Sequence, residues 1–249
     1  MDNHEIIDYN ILAKDYDLTR TANINIINLF AAELPLDGKT ILDFGCGTGN
    51  FAYAISKLTS AEIYGVEPSE GMRDKALNKG LDIRSGDHTM IPFGDSFFDF
   101  IYMTDVIHHV PDISAMFAEL CRVLKPGGLI CILTESYRQL ESRFWVKYFP
   151  TTVEIEKKRY PDIPDIITAA KEATLDEYKV VVTDMDSEVT ITGDFIKLVE
   201  NKGFSMLRLI DEADYRTGLS AVMRDYEKQT VLQTCHGETL LWLRRENPA

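Results

Sequence analysis

Residues 40–50, Thr-Ile-Leu-Asp-Phe-Gly-Cys-Gly-Thr-Gly-Asn, carry an apolar run into three alternating glycines, Gly45, Gly47 and Gly49. This pattern predicts a strand that turns sharply into a helix starting near Gly49. Glycines let the backbone approach a ligand closely, and the helix start aims its free N–H groups at the same place. A nucleotide-like ligand is expected there, with Asp43 two places before the first glycine. The spacing narrows the choice further. A dinucleotide fingerprint needs a third glycine five places after the first, where this chain has Asn50. Pyrophosphate, and with it a nicotinamide oxidoreductase, is disfavoured. A second predicted strand, 63–67, ends in Glu67, at the separation of about 20 residues where a carboxylate accepts both ribose hydroxyls.

Beyond this point strands and helices alternate, which predicts a parallel sheet covered on both faces. Strands are expected at 40–44, 63–67, 81–84, 98–104 and 128–134. A helix over 25–34 carries an apolar stripe of Ile26, Ile27, Phe30, Ala31 and Leu34. Another, over 113–124, stops at Lys125-Pro-Gly-Gly. The alternation loosens after Glu135. A helix and loop containing Phe144, Trp145, Tyr148, Phe149 and Tyr160 are expected to cover the site, as lid packing or as an apolar substrate wall. A sixth strand is expected at 178–185, helices at 193–202 and 212–228, and a final strand at 238–245, paired antiparallel at the sheet edge.

Composition excludes several classes of function. The 249 residues hold 26 Lys and Arg against 40 Asp and Glu, a net charge of −14. Nucleic acid is disfavoured, because phosphate binding draws on clustered cations. The four cysteines, Cys46, Cys121, Cys131 and Cys235, form no C-x-x-C pair, so neither a metal site nor a disulfide framework is indicated. A reducing, cytoplasmic setting is expected. The first residues lack the basic stretch of a signal peptide, and no apolar run approaches the ~18 residues that span a bilayer. No stable membrane insertion is expected.

Four segments in order resemble the class I S-adenosylmethionine (SAM) dependent methyltransferases of the small-molecule type. They are Asp43-Phe-Gly-Cys-Gly-Thr-Gly49, then Glu67, then Ser85-Gly-Asp87-His88, then the stretch 97–110 followed by Leu124-Lys-Pro-Gly-Gly-Leu129. The resemblance covers roughly residues 9–135. It implies an α/β, Rossmann-like, doubly wound, mostly parallel seven-stranded sheet with helices on both faces and a helical cover over the site. The implied layout is one domain over 1–249. Within it, 1–35 is a helical segment closing over the cofactor, 36–135 the SAM-binding core, 136–230 a substrate-covering insertion with the sixth strand, and 231–249 a final edge strand.

The resemblance also assigns roles. Gly45 and Gly47 would admit the methionine moiety, Glu67 would hold the ribose, and Asp87 would accept from the adenine amino group. Asp43 and Thr104 complete the cofactor set on the strand ends, Met72 would pad the adenine or be an ordinary core methionine, and His88 would touch the adenine or cap a turn. Tyr16 or Arg20, in Tyr16-Asp17-x-x-Arg20, would meet the methionine carboxylate, since Arg presents a bidentate fork. His109, with His108 beside it, is the candidate general base, or else a packing residue. Cys46, between two glycines, is expected to be a small packing residue without thiol chemistry. The expected activity is methyl transfer to O, N or C of a small, apolar or aromatic metabolite. The alternatives are a quinone or lipid-precursor C-methyltransferase, and a SAM-binding sensor or regulatory subunit without turnover.

Overall fold

The computed structural model describes residues 21–183, 186–235 and 237–247. The expected cofactor residues Tyr16 and Arg20, and Met185 of the expected sixth strand, lie outside them. The chain divides into two compact units, a sheet unit built from the described parts of 8–134, 163–181 and 240–249, and a second built from those of 135–162 and 182–239.

In the sheet unit, α1 (Ile24–Glu33) starts where the Asn23 side chain accepts the Asn25 N–H at 3.0 Å, a cap that satisfies one free donor of the first turn. It buries Ile26, Ile27 and Phe30, while Ala31 of the expected stripe is exposed. Phe30 fixes the helix on one sheet face through the rings of Phe100, Tyr102 and Trp242, at centroid distances of 5.6, 5.2 and 6.0 Å.

The strands β1 (Thr40–Phe44), β2 (Glu62–Val66), β3 (Asp82–Arg84), β4 (Phe98–Thr104) and β5 (Leu124–Thr134) pair in parallel in the order β3-β2-β1-β4-β5. Side chains of a strand point alternately to its two faces. Leu42, Phe44, Ile101 and Met103 accordingly enter one core, and Ile41, Phe100 and Tyr102 the other. Both faces are covered, which is why these strands read as nearly continuous apolar runs. The helices α2 (Asn50–Leu58), α3 (Glu70–Asn78) and α4 (Ile113–Val123) link them. Asp112 caps α4 by accepting the Ala115 N–H at 2.9 Å. The Lys125-Pro-Gly-Gly turn is absorbed into β5 as a register jump, with Phe98 opposite Leu124 and Phe100 opposite Leu129.

The end of the sheet differs from the sequence expectation. A helix not foreseen, α7 (Ile163–Glu172), buries Ile166, Ala169 and Ala170 in the same core as α4. It leads into β6 (Leu175–Val182), three residues earlier than the strand expected at 178. Residues 163–181, which carry α7 and most of β6, belong to the sheet unit; a sixth strand was expected within 136–230, the helix before it was not. The final strand, β9 (Thr239–Arg245), is not an edge strand, because the full order runs β3-β2-β1-β4-β5-β9-β6. Leu240-Leu241-Trp242-Leu243 is buried on both faces, in keeping with a strand that has a neighbour on each side. Asp176, Glu177 and Lys179 of β6 are exposed and suit an edge, where charges discourage stray pairing.

The second unit has its own core, centred on Tyr148, Phe149, Met206, Leu207, Tyr215 and Val222. Its helices are α5 (Tyr137–Ser142), α6 (Thr152–Arg159), α8 (Gly193–Glu200) and α9 (Glu212–Glu227). Its strands, β7 (Asp186–Thr190) and β8 (Val231–Cys235), form an antiparallel pair; neither was legible in the sequence. The aromatics of 144–160 are largely packing. Trp145 stacks on Phe204 at 5.1 Å and Phe149 on Tyr215 at 6.4 Å. The buried Arg143 pairs with Glu135 and, at 2.9 Å, with Glu156. Arg159 adds a second guanidinium on Glu156 at 2.7 Å, so neither carboxylate is left uncompensated. No helix among the described residues is long and apolar enough to cross a membrane.

Candidate functional site

In an open α/β sheet, ligands bind beyond the carboxyl ends of the strands where the strand order reverses. Here the reversal falls between β1 and β4, since the chain proceeds outward from β1 through β2 to β3 and then returns to β4. Gly45 follows β1 at φ 70°, in the left-handed region that favours glycine. A side chain there would also meet Val106, whose methyl carbons lie 2.7 Å from the position of a Cβ. Gly45 and Cys46 donate their N–H groups to the Val66 carbonyl at 2.8 and 3.1 Å, which ties the glycine loop to the end of β2. Gly49, at φ 75°, opens α2.

Glu67 is the best-defined acid of the site. Its Oε2 accepts the Gly47 N–H at 3.0 Å and its Oε1 the Ser69 N–H at 2.9 Å. Burial pushes its carboxyl above the ordinary range, while the two amides and the Arg73 guanidinium pull it back. Asp43 is only 2% exposed. Burial raises its carboxyl to about 7, with the Tyr102 hydroxyl and the Ala52 amide opposing and the charge of Glu67 adding to the rise. The Tyr102 hydroxyl, buried on β4, is close enough to act on Asp43 electrostatically but lies outside hydrogen-bond geometry. Two buried carboxyls thus flank one glycine loop.

Asp87 is exposed and already shaped as an acceptor. Its Oδ1 accepts the Thr89 N–H at 2.8 Å and the Thr89 hydroxyl at 2.7 Å. Thr89 thereby holds the carboxyl below the usual carboxylate range. A short bridge between Asp87 and Met90 closes the turn, and His88 sits half-buried on it. Met72, only 1% exposed in the first turn of α3, takes the core-packing place of its two expected readings.

Across the reversal, Thr104 ends β4, and Asp105 follows at φ 57°. A left-handed conformation in a non-glycine residue is uncommon, though Asp tolerates it better than most, and such strain gathers at functional sites. The next turn, Ile107–His109, presents His108 half-buried and His109 exposed, with ring centroids 4.0 Å apart. Cys46 is buried, its thiol pushed up by burial, and it fits the packing role. Asp43, Gly45, Gly47, Glu67, Thr104, His108 and His109 therefore gather around the reversal, and Asp87 with His88 follows β3.

Three contributors were missed in the sequence. Asp105 had a signal, an acidic residue directly after a strand. Arg73 and Lys79 had none, because their partners are carbonyls or distant in the chain. The Lys79 Nζ donates to the Thr48 carbonyl at 2.8 Å and to Asn50 Oδ1 at 2.5 Å, bracing the glycine loop from the end of α3.

Residues 42–132, from β1 to β5, match the family described as Methyltransferase domain. This stretch is a class I SAM-dependent methyltransferase domain. Sterol 24-C-methyltransferase of Pneumocystis carinii is 37% identical over 101 residues, 37% of this chain and 27% of that protein. Demethylmenaquinone methyltransferase of Staphylococcus saprophyticus is 37% identical over 106 residues, 40% of this chain and 46% of that protein. In both, the match spans less than half of the relative. A solved structure from Anabaena variabilis, assigned as a methyltransferase of an antibiotic biosynthesis pathway, superposes with a TM-score of 0.69 at 22% identity. It covers 90% of this chain and 98% of that one. The methyltransferase domain thus lies wholly within the sheet unit, and the likeness of fold extends well beyond it.

Proposed function

We propose that this chain is an enzyme that binds SAM and transfers its methyl group to O, N or C of a small apolar or aromatic metabolite. The observation that carries the proposal is the Glu67 carboxylate, buried and fixed by the Gly47 and Ser69 amides beside the β1–β4 reversal. In this reading Glu67 accepts the ribose hydroxyls, Asp87 the adenine amino group, and the backbone at Gly45 and Gly47 lies against the methionine moiety. His88 borders the adenine. Asp43 and Thr104 line the crevice where the sulfonium lies.

Methyl transfer needs nucleophile, methyl carbon and sulfur nearly in line, so holding the reactants at about 3–3.5 Å supplies much of the rate. Where the acceptor loses a proton, His109 takes it, with His108 against its ring. An acceptor carbon on a quinone or lipid precursor is the more specific reading. It is favoured by the relatives named for sterol and demethylmenaquinone methylation. A cytoplasmic setting fits the free thiols of Cys46, Cys121 and Cys131, since thiols persist in a reducing compartment.

The decisive experiment is calorimetric titration with SAM, with its demethylated product, and with NADH as control. Micromolar binding of the first two alone is the expected result; binding of NADH, or of none, would overturn the proposal. Incubation with cell extract and radiolabelled methyl donor then separates enzyme from sensor, since a sensor binds SAM and labels nothing. His109→Ala is expected to lower kcat by about 10²- to 10⁴-fold with near-normal SAM affinity. Full activity would leave His109 a packing residue.

A further inference from the structure

The carboxylate that carries the proposed function is held on its front side by two amides. Behind it lies an arginine that neither the family match nor the spacing of motifs singles out. Arg73 lies in the first turns of α3. Its Nη1 donates to the Glu67 carbonyl at 2.9 Å and to the Pro68 carbonyl at 2.7 Å. One nitrogen thus ties two successive carbonyls of the turn between β2 and α3. The same turn is held at its far end by the Ser69 hydroxyl, which accepts the Met72 N–H at 3.4 Å and caps α3. Hydrogen bonds in which one partner is ionised are roughly twice as strong as neutral ones. A guanidinium on main-chain carbonyls is therefore a firm anchor for a turn that has no regular structure of its own.

We propose that Arg73 is a positioning residue for the ribose: by tying the Glu67 and Pro68 carbonyls it sets the direction in which the Glu67 side chain leaves the turn. It acts through Glu67 and does not touch the cofactor. A free turn would let the carboxylate leave the Gly47 and Ser69 amides, and the ribose would then pay the ordering cost on binding. With Arg73 in place that order exists beforehand, which is how preorganisation raises affinity. Its positive charge also opposes the effect of burial on the Glu67 carboxyl. This inference rests on the reading of Glu67 as the ribose acceptor.

The test is calorimetric SAM titration of the full chain and of Arg73→Met, Arg73→Lys, Glu67→Ala and the Arg73→Met/Glu67→Ala double variant, each checked by thermal melting. Arg73→Met is expected to bind SAM about tenfold more weakly, a typical coupling for groups in one network. Arg73→Lys, which keeps a cationic donor, is expected to recover most of the loss. The double variant is expected to be no weaker than Glu67→Ala alone, because a residue acting through Glu67 has nothing left to position. Should Arg73→Met not fold, Arg73→Gln carries the same expectation of loss. Wild-type affinity in Arg73→Met, no recovery with lysine, or losses that multiply in the double variant would overturn the inference. A loss in Glu67→Ala with none in Arg73→Met removes the role of Arg73 and leaves the ribose site standing. Wild-type affinity in Glu67→Ala removes both.

Discussion

Glu67→Ala is expected to weaken SAM binding by at least tenfold while the sheet unit stays folded. The carboxylate is already oriented by the Gly47 and Ser69 amides, so its acceptor capacity toward a ribose diol comes without further ordering. A hydrogen bond to a charged group contributes about 1.5–3 kcal/mol, and every 1.4 kcal/mol is a factor of about ten in affinity. Two such bonds to one ribose justify the lower bound. Asp87→Ala is expected to show a loss of similar direction, since Thr89 occupies Oδ1 and holds the carboxylate ionised. Calorimetry of both variants, with circular dichroism to confirm folding, checks the pair. Unchanged affinity in both would remove the site from this end of the sheet.

The second large effect concerns pH. Burial raises the Asp43 carboxyl from its ordinary 3.8 to about 7. A carboxyl raised in the folded state lends stability that is fully present below its unfolded value and is lost as pH rises through the folded one. The free protein is therefore expected to lose stability from this group between about 4 and 7. Ligand binding runs the other way. SAM carries a sulfonium and an ammonium, and a cation near Asp43 favours the ionised carboxylate. Below pH 7, binding must then release a proton, and affinity should fall by up to about tenfold per pH unit. Titration in buffers of different ionisation enthalpy measures the proton count directly. Asp43→Asn should bind more weakly at pH 8 and lose most of the pH dependence. An affinity that is flat from about pH 6 to 8 in the wild-type chain would sink this account of the loop.

The elements that the chain announced most clearly are those whose chemistry is local. Thr40–Phe44 is apolar on both faces and ends in glycines, so it is a buried strand followed by a turn wherever it sits. Ile113–Val123 has an Asp cap and a proline-glycine stop, and those signals lie within a dozen residues of one another. Glu67 was legible because it stands directly after a short strand at a fixed distance from the glycine loop, whereas Asp87, three residues past β3, was read only through the resemblance of Ser85-Gly-Asp87-His88. Gly45 was legible as a glycine position, but the reason for it includes Val106, some sixty residues away, whose methyl groups leave no room for a side chain.

Met72 shows the converse. Its place after Glu67 suggested contact with a cofactor, yet the packing around α3 buries it completely. The aromatics of 144–160 were equally ambiguous. A wall for a substrate and a core for a small unit have the same composition, and only partners such as Phe204 and Tyr215 decide between them.

The sequence by itself determined the strand-loop-helix that opens the site, the succession of the first five strands along the chain, and Glu67 at the end of the second. Strand period, glycine geometry and capping are properties of neighbouring residues. Tertiary structure alone decided that β9 is inserted between β5 and β6, that α7 joins the sheet unit, and that Arg73 and Lys79 brace the two loops at the crevice. Each of these depends on burial or on hydrogen bonds between parts of the chain whose separation carries no periodic signal. A strand becomes interior only when two other strands leave their edges open to it, and a carbonyl becomes an arginine's partner only when the turn brings it there.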